Sequence, residues 1–307
     1  FFRNQGIRIS IYLDDMIIMA KTPGLAHLHT QYVLNVLEAL GFVINRAKSC
    51  LEPSQQISHL GLIFDSYRWQ ITLPQSKLLN IAKDARRILR ANERKCLTMR
   101  MIAGLAGKLA AAVAAMPEAR FRNRSMQRLV WFAIRHGRTW SDTVSLSATA
   151  LRDVVWCSNK SVLHRANRGR IRVSHPDAIL TSDASLTGWG AVLEIDGKSI
   201  SVHGRWNPIE RDWSSNLRET TAITRSVFAF KRRLVRCRSI LFRTDNMTAK
   251  AALNKCGSPY RHLGLAIEPV LRLQADHGRG RGLGVDDRDD GAQHIRVGAA
   301  APRFQGG

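Results

Sequence analysis

Leu180-Thr181-Ser182-Asp183-Ala184-Ser185, followed by Gly188-Trp189-Gly190-Ala191, is the stretch on which the reading of the fold turns. It puts an aspartate at the end of one strand and small residues at the start of the hairpin partner, where the glycines permit a close backbone approach. Working outward, two further strands are expected at about 188–195 and 199–206, a helix at about 214–234, a strand at 239–244, and helices at about 247–255 and 260–277. Three consecutive strands followed by alternating helix and strand describe a sheet covered by helices. Glu219 falls within the first long helix, in Asn216-Leu217-Arg218-Glu219-Thr220-Thr221-Ala222, and Asp245 ends the next strand, in Leu241-Phe242-Arg243-Thr244-Asp245-Asn246. Two strand-end carboxylates and one helical carboxylate can converge on a single rim of such a sheet, giving an oxygen-rich site suited to Mg²⁺. Each also has an ordinary explanation. Asp183 suits a turn, Glu219 a surface pair with Arg218 or Arg225, and Asp245 the N-cap of the helix after it.

Taken in order, the three acids resemble the ribonuclease H series: a first Asp in a strand before a Gly-rich turn, a Glu in the first long helix, and a second Asp beside Asn at a strand-to-helix junction. The resemblance covers about 179–277. It implies hydrolysis of the RNA strand of an RNA–DNA hybrid, with two Mg²⁺ ions held by Asp183, Glu219 and Asp245. One ion would generate hydroxide while the other stabilises the departing 3′-oxygen. Selectivity for RNA would rest on the 2′-hydroxyl and on groove shape. Together with the helical region upstream, the segment looks most like retroelements of the DIRS or tyrosine-recombinase type. After His277 the chain departs from the family, whose domains end with a fifth strand and a helix carrying a fourth Asp. Here stand Gly278-Arg279-Gly280-Arg281-Gly282 and Asp286-Asp287-Arg288-Asp289-Asp290, and eight of the 22 glycines fall in the last 30 residues. Residues 278–307 are expected to be an unstructured tail, read out of frame or belonging to a decayed copy.

A second acidic pair lies near the start. Ile11-Tyr12-Leu13-Asp14-Asp15-Met16 places adjacent carboxylates at the tip of an apolar hairpin, either a plain Asp-Asp turn or a seat for a divalent cation. The segment resembles the YxDD signature of reverse transcriptases. Gly41-Phe42-Val43-Ile44-Asn45 with Lys48-Ser49, and then His59-Leu60-Gly61-Leu62-Ile63-Phe64-Asp65, are similar to the next palm motifs in their family order. This implies that Asp14 and Asp15 help bind catalytic Mg²⁺, that Tyr12 belongs to the same nucleic-acid-facing hairpin, that Lys48 lies near the departing pyrophosphate, and that Leu60-Gly61 supports the primer end. Family polymerases need a further palm Asp upstream and fingers for the incoming nucleotide, and only Phe1–Ser10 precede this hairpin. The polymerase site is therefore expected to be incomplete, with the fingers and upstream palm belonging to a longer parent polyprotein.

Between these segments the chain is helical and basic. Arg86 and Arg90 sit on a predicted helix, and Arg122 and Arg124 follow Pro117; both runs are expected to contact duplex backbone without regard to sequence. With 47 Lys+Arg against 24 Asp+Glu the formal charge is +23, which favours a polyanionic partner. That partner is expected to be an RNA–DNA hybrid or a template-primer duplex. A membrane partner is not expected, because the longest apolar stretch, Met101 to Met116, is broken by Lys108 and is shorter than the about 20 residues of a span. Five scattered cysteines, none spaced as CxxC, suggest neither disulfides nor zinc and fit an intracellular setting, cytoplasm or nucleus.

The fold class expected is α+β: a partial palm over 1–74, a thumb-like helical region over 75–138, a connection over 139–177, an α/β ribonuclease H-like domain with a mixed sheet over 178–277, and the tail. The competing function is a catalytically inactive, nucleic-acid-binding relic that keeps the charge and not the chemistry.

Overall fold

In the computed structural model, which describes residues 1–170, 176–237, 240–258, 261–276, 282–286 and 294–298, the chain divides after Pro74 into two compact units. The first begins with β1 (Arg8–Tyr12) and β2 (Asp15–Met19), an antiparallel hairpin with Ile9 opposite Ile18. Helix α1 (Pro23–Ala39) starts where Thr22 accepts a hydrogen bond from Leu25 N–H and Pro23 pre-sets the first turn. Its Val33 and Leu37 pack on Ile7 and Ile9, burying one face of the hairpin. Phe42–Asn45, although rich in the aromatic and β-branched residues that favour strands, forms none. Val43 is 98% exposed, 42–45 pairs with no strand among the described residues, and Asn45 instead caps a 3₁₀ turn, Arg46–Lys48. A meander follows: β3 (Gln56–His59), β4 (Leu62–Asp65) and β5 (Gln70–Thr72) pair antiparallel in sequence. Leu60 and Gly61 turn the first of its hairpins at φ 49° and 71°, the positive-φ geometry that matches strand twist.

The second unit opens with helices whose small and branched residues recur at helical spacing. In α2 (Gln75–Glu93), Leu78, Ile81, Ala82, Ala85 and Ile88 are buried on one stripe, leaving Arg87 and Arg90 exposed. Helices α3 (Met99–Ala112) and α4 (Glu118–Arg135) follow, then α5 (Ala148–Ser158), capped by Ser147, and α6 (Lys160–Ala166), capped by Asn159. A two-residue strand, β6 (Gly169–Arg170), precedes the main sheet.

That sheet is built from β7 (Ala178–Ala184), β8 (Gly188–Ile195) and β9 (Lys198–Arg205), paired antiparallel. A one-turn helix α7 (Pro208–Arg211), the long helix α8 (Ser215–Ala229) and a short α9 (Lys231–Leu234) lead into β10 (Ile240–Arg243). Strand β10 pairs parallel with β7, so the sheet is mixed. Helices α10 (Met247–Asn254) and α11 (Arg261–Asp276) follow. The core places Leu180, Leu193 and Phe242 of the sheet against Ile223 and Val227 of α8 and Ile267 and Val270 of α11.

Two findings correct the reading from sequence. First, the segment expected to be an unstructured tail contributes β11 (Gly282–Asp286) and β12 (His294–Gly298), giving the order β11-β12-β10-β7-β8-β9. Without them β10 would present an unpaired row of backbone groups, and the two segments alternate apolar residues with period two, as strands require. The remaining tail positions, 287–290 of the acidic run included, lie outside the described residues.

Second, Arg122 does not face solvent. It is 5% exposed and paired with Asp153 at 3.4 Å, and Ser125 Oγ donates to the other carboxylate oxygen at 2.8 Å. Asp153 supplies the counter-charge that a buried cation needs, and the guanidinium also lies over the rings of Phe121 and Trp156, at 5.6 and 5.4 Å. Helix α4 is also joined to the elements that follow it in the second unit. Phe121 of α4 lies in the sheet's own core cluster, and Arg120 and Arg124 donate to the carbonyls of Asn254 and Lys255, at 2.9 and 3.0 Å, at the end of α10. Those carbonyls would otherwise lack helical partners.

Removing one half of the buried pair is the sharpest test of this packing. Asp153→Ala is expected to destabilise the protein by about 3–5 kcal/mol, because it strands the guanidinium of Arg122, whereas Asp153→Ala combined with Arg122→Met should recover most of that loss. Urea denaturation measures both; a single-variant loss below about 1 kcal/mol would contradict the pairing.

Candidate metal centre

Backbone register brings the first two carboxylates together. Arg243 of β10 stands beside Thr181 of the parallel strand β7. Two residues beyond that pair come Asp183, still within β7, and Asp245, just past the end of β10, so the carboxylates leave neighbouring chain segments at about the same level, and paired strands lie about 4.8 Å apart. Asp183 is itself opposite Gly190 of β8. The turn that follows needs glycine: a Cβ on Gly188 would lie 2.5 Å from the carbonyl oxygen of Gly204 on β9.

The third carboxylate comes from α8. Glu219 shares a stripe with Ile223 and Val227, at i and i+4 spacing, and therefore occupies a position where an apolar side chain would ordinarily pack on the sheet. It is 5% exposed. Ligand atoms of Asp183, Glu219 and Asp245 all lie within 4.8 Å of one another. The backbone N–H of Ala184 donates to Asp183 Oδ1 at 2.8 Å and also approaches Glu219 Oε1 at 3.3 Å. Glu219 Oε2 is buried and meets no hydrogen-bond donor of the described residues. Burial first, then the charges of Asp183 and Asp245, push the Glu219 carboxyl up to about 7. An oxygen with nothing to accept from, inside a cluster of like charge, is what a divalent cation would satisfy.

The ordinary explanations for Asp245 and Glu219 fail in turn. Asn246, not Asp245, caps α10, accepting from Ala249 N–H at 2.8 Å, while its amide donates to Asn216 Oδ1 at 3.0 Å. That second bond ties the β10–α10 junction to the first turn of α8. Arg225 pairs with Glu210, and Arg218 donates to the carbonyls of Arg211 and Trp213, so neither arginine neutralises Glu219. Sequence reading had passed over the residues that brace the Asp183 turn. Trp206, 2% exposed, donates its indole N–H to the carbonyl of Ser185 at 3.0 Å, and Arg225 lies over its ring at 4.9 Å. Asn207 and Glu210 form a reciprocal capping box next to it, a pattern that Asn-Pro-Ile-Glu does advertise in sequence.

The other expected site residues are placed as follows. Asp14 and Asp15 sit on the exposed β1–β2 hairpin, whose turn carries Leu13 at φ 54°, with Asp15 opposite Tyr12. Among the described residues the sole group of three or more potential ligands within reach of one another is the Asp183 cluster, so Asp14 and Asp15 form a pair without a third member. Lys48 closes the 3₁₀ turn after α1, exposed; Leu60 and Gly61 form the tip of the β3–β4 hairpin. Arg90 is exposed on α2, Arg86 donates to the carbonyl of Ser158, and Arg124 is committed to α10. No helix of the described residues is long and apolar enough to cross a membrane.

No protein-family model and no curated protein matches the sequence. Solved structures that resemble it include a foamy viral protease-reverse transcriptase, dRH form, in complex with double-stranded DNA, at TM-score 0.43 and 14% identity, over 73% of this chain and 37% of that one. The foamy viral protease-reverse transcriptase in complex with an RNA/DNA hybrid gives TM-score 0.43 and 13% identity, over 85% and 34%. The same protein with double-stranded DNA gives 0.42 and 15%, over 74% and 44%. This chain thus spans less than half the length of each.

The raised carboxyl makes a signed prediction. Between about pH 4.5 and about 7 the folded protein holds a proton on Glu219 that the unfolded chain has released, so in chelator stability should fall as pH rises through that window and level off above it. The span is at most about 3 kcal/mol. Glu219→Gln should flatten the profile, and Mg²⁺ should restore stability on the alkaline side. Urea titrations at pH 5, 6, 7 and 8 check this; a wild-type profile as flat as that of the variant would refute it.

Proposed function

We propose that the second unit hydrolyses the RNA strand of RNA–DNA hybrids with Mg²⁺, and that the first unit is a piece of a polymerase palm from a longer retroelement polyprotein of the DIRS or tyrosine-recombinase type. The observation that carries the nuclease reading is the cluster of Asp183, Glu219 and Asp245 within 4.8 Å, at the end of parallel strands β7 and β10. The donor set is all oxygen, which suits a hard divalent cation, and Glu219 Oε2 supplies a buried acceptor with no protein donor. When bound, a pair of Mg²⁺ ions would activate the attacking water and stabilise the leaving 3′-oxygen.

The chain's own residues set the terms of that chemistry. Asp183 and Asp245 are exposed and open to a phosphate, whereas Glu219 is buried beneath them and fixed by α8. The Ala184 N–H holds Asp183 against rotation, and the Asn246–Asn216 bond holds Asp245 level with Glu219. Basic side chains exposed on the same unit draw the phosphate backbone, and the 2′-hydroxyl distinguishes RNA from DNA.

Cleavage of a labelled hybrid in Mg²⁺ tests the proposal. The wild type is expected to cut the RNA strand and to stop in chelator, while Asp183→Asn and Glu219→Gln each lose at least about a hundredfold. Equal cleavage by wild type and Asp183→Asn would remove Asp183 from the mechanism. Binding of hybrid without cation-dependent cleavage would favour the inactive nucleic-acid-binding relic. The same preparation is expected not to extend a primer, since Asp14 and Asp15 have no third ligand beside them among the described residues; extension on a homopolymer template would overturn that.

A further inference from the structure

Helix α4 changes character along its length. In its first half polar side chains are committed to neighbouring elements: Arg120 and Arg124 to the end of α10, Arg122 and Ser125 to Asp153, Asn123 to the carbonyl of Ala106. In its last turns the large side chains point out. Trp131 is 59% exposed, Phe132 57%, and Trp140 in the loop beyond 47%. These rings are not loose. The Arg135 guanidinium lies 5.2 Å from the centre of the Trp131 indole, and the Phe132 and His136 rings lie 4.0 Å apart at 32°, so two i, i+4 pairs set four planar groups side by side on one helix. Trp140 is fixed by its backbone, because its carbonyl accepts from Arg100 N–H and the Asp142 carboxylate folds the loop by accepting from Thr139 N–H and Oγ.

Electrostatics narrows what such a surface can receive. From Ala119 to Ser141 there is no acidic residue, and Arg135 and Arg138 stand exposed beside the rings. A second copy of a chain with formal charge +23 would be repelled. A polyanion with planar rings of its own would be attracted twice, by the arginines and by the open aromatic faces. In a duplex those base faces are already stacked on one another, so only unpaired bases can use the rings.

We propose that the C-terminal end of α4, with Trp131, Phe132, Arg135, His136, Arg138 and Trp140, is a stacking platform for single-stranded polynucleotide. It is independent of the carboxylate cluster, and binding to DNA oligonucleotide does not require the nuclease reading to hold.

The test uses the full chain and a labelled oligothymidylate of roughly 20 nucleotides, with a blunt DNA duplex as comparison. Wild type should bind the single strand with quenching of tryptophan fluorescence. Trp131→Ala with Phe132→Ala should weaken that binding by at least roughly tenfold while duplex affinity stays within about twofold, and Trp131→Phe should fall between. Because both rings are exposed, the variants are expected to melt with the wild type. Unchanged oligothymidylate affinity, or an equal loss for duplex, would overturn the proposal. So would a wild-type dimer in sedimentation that the double variant abolishes, or binding to phosphatidylserine vesicles with none to oligothymidylate. Hybrid cleavage measured on the same double variant separates the two readings: cleavage can fail while single-strand binding persists, and the reverse.

Discussion

Three carboxylates within 4.8 Å repel one another, and the fold has to hold them there. At about 4 Å each like-charge pair opposes folding by about 1 kcal/mol in water and by about 4 kcal/mol at the effective dielectric of a protein surface. Flexible elements would relieve that by moving apart. The supports here are stiff: two hydrogen-bonded parallel strands deliver Asp183 and Asp245, and a long helix packed by Ile223 and Val227 delivers Glu219. Part of the relief comes from protonation instead of displacement: burial first, and then the charges of Asp183 and Asp245, push the Glu219 carboxyl up to about 7. A site that resists by holding a proton is one that a divalent cation can occupy by displacing it.

The rigidity of the sheet's rim depends on parts far away in sequence. Helix α10 follows Asp245 directly, and its last carbonyls are held by Arg120 and Arg124 of α4. Phe121, between them, enters the sheet's core, while Arg122 turns the other way to meet Asp153 of α5. Arg120, Phe121, Arg122 and Arg124 of one helix thus join the helical region to the mixed sheet and α10 on one side and to its own neighbours on the other. Loosening α4 would release the C-terminal end of α10 and, through it, the junction that positions Asp245.

Much of this was legible in sequence where the information is local. Strands β8 and β9 are written in short patterns of alternation, whereas the cap of α10 falls on Asn246 and not on Asp245, the oxygen the sequence offers for it. The convergence of three acids was suggested only by their order, since the register that sets Arg243 beside Thr181 joins residues more than sixty positions apart and leaves no local trace. The glycine-rich composition after His277 hid two strands, although Leu283 and Val285, then Ile295 and Val297, alternate with the right period. Phe42–Asn45 is the opposite case: it has the β-branched and aromatic residues of a strand and no edge to pair with among the described residues. A run of arginines reads as a cationic face because nothing local distinguishes an arginine that meets Asp153 from one that meets water.

That last point changes what the net charge means. A formal +23 counts every arginine alike, yet Arg122 is neutralised internally and Arg120 and Arg124 spend their donors on the carbonyls of α10. Salt dependence of polyanion binding follows the number of phosphates neutralised, not the number of cations in the chain. The arginines left to act outward along α4 are those near its end, among exposed rings, where stacking adds a contribution that salt screens little. The helix therefore divides its basic residues by position, the first turns fastening the fold and the last turns facing solvent, and a count of charge cannot tell the two apart.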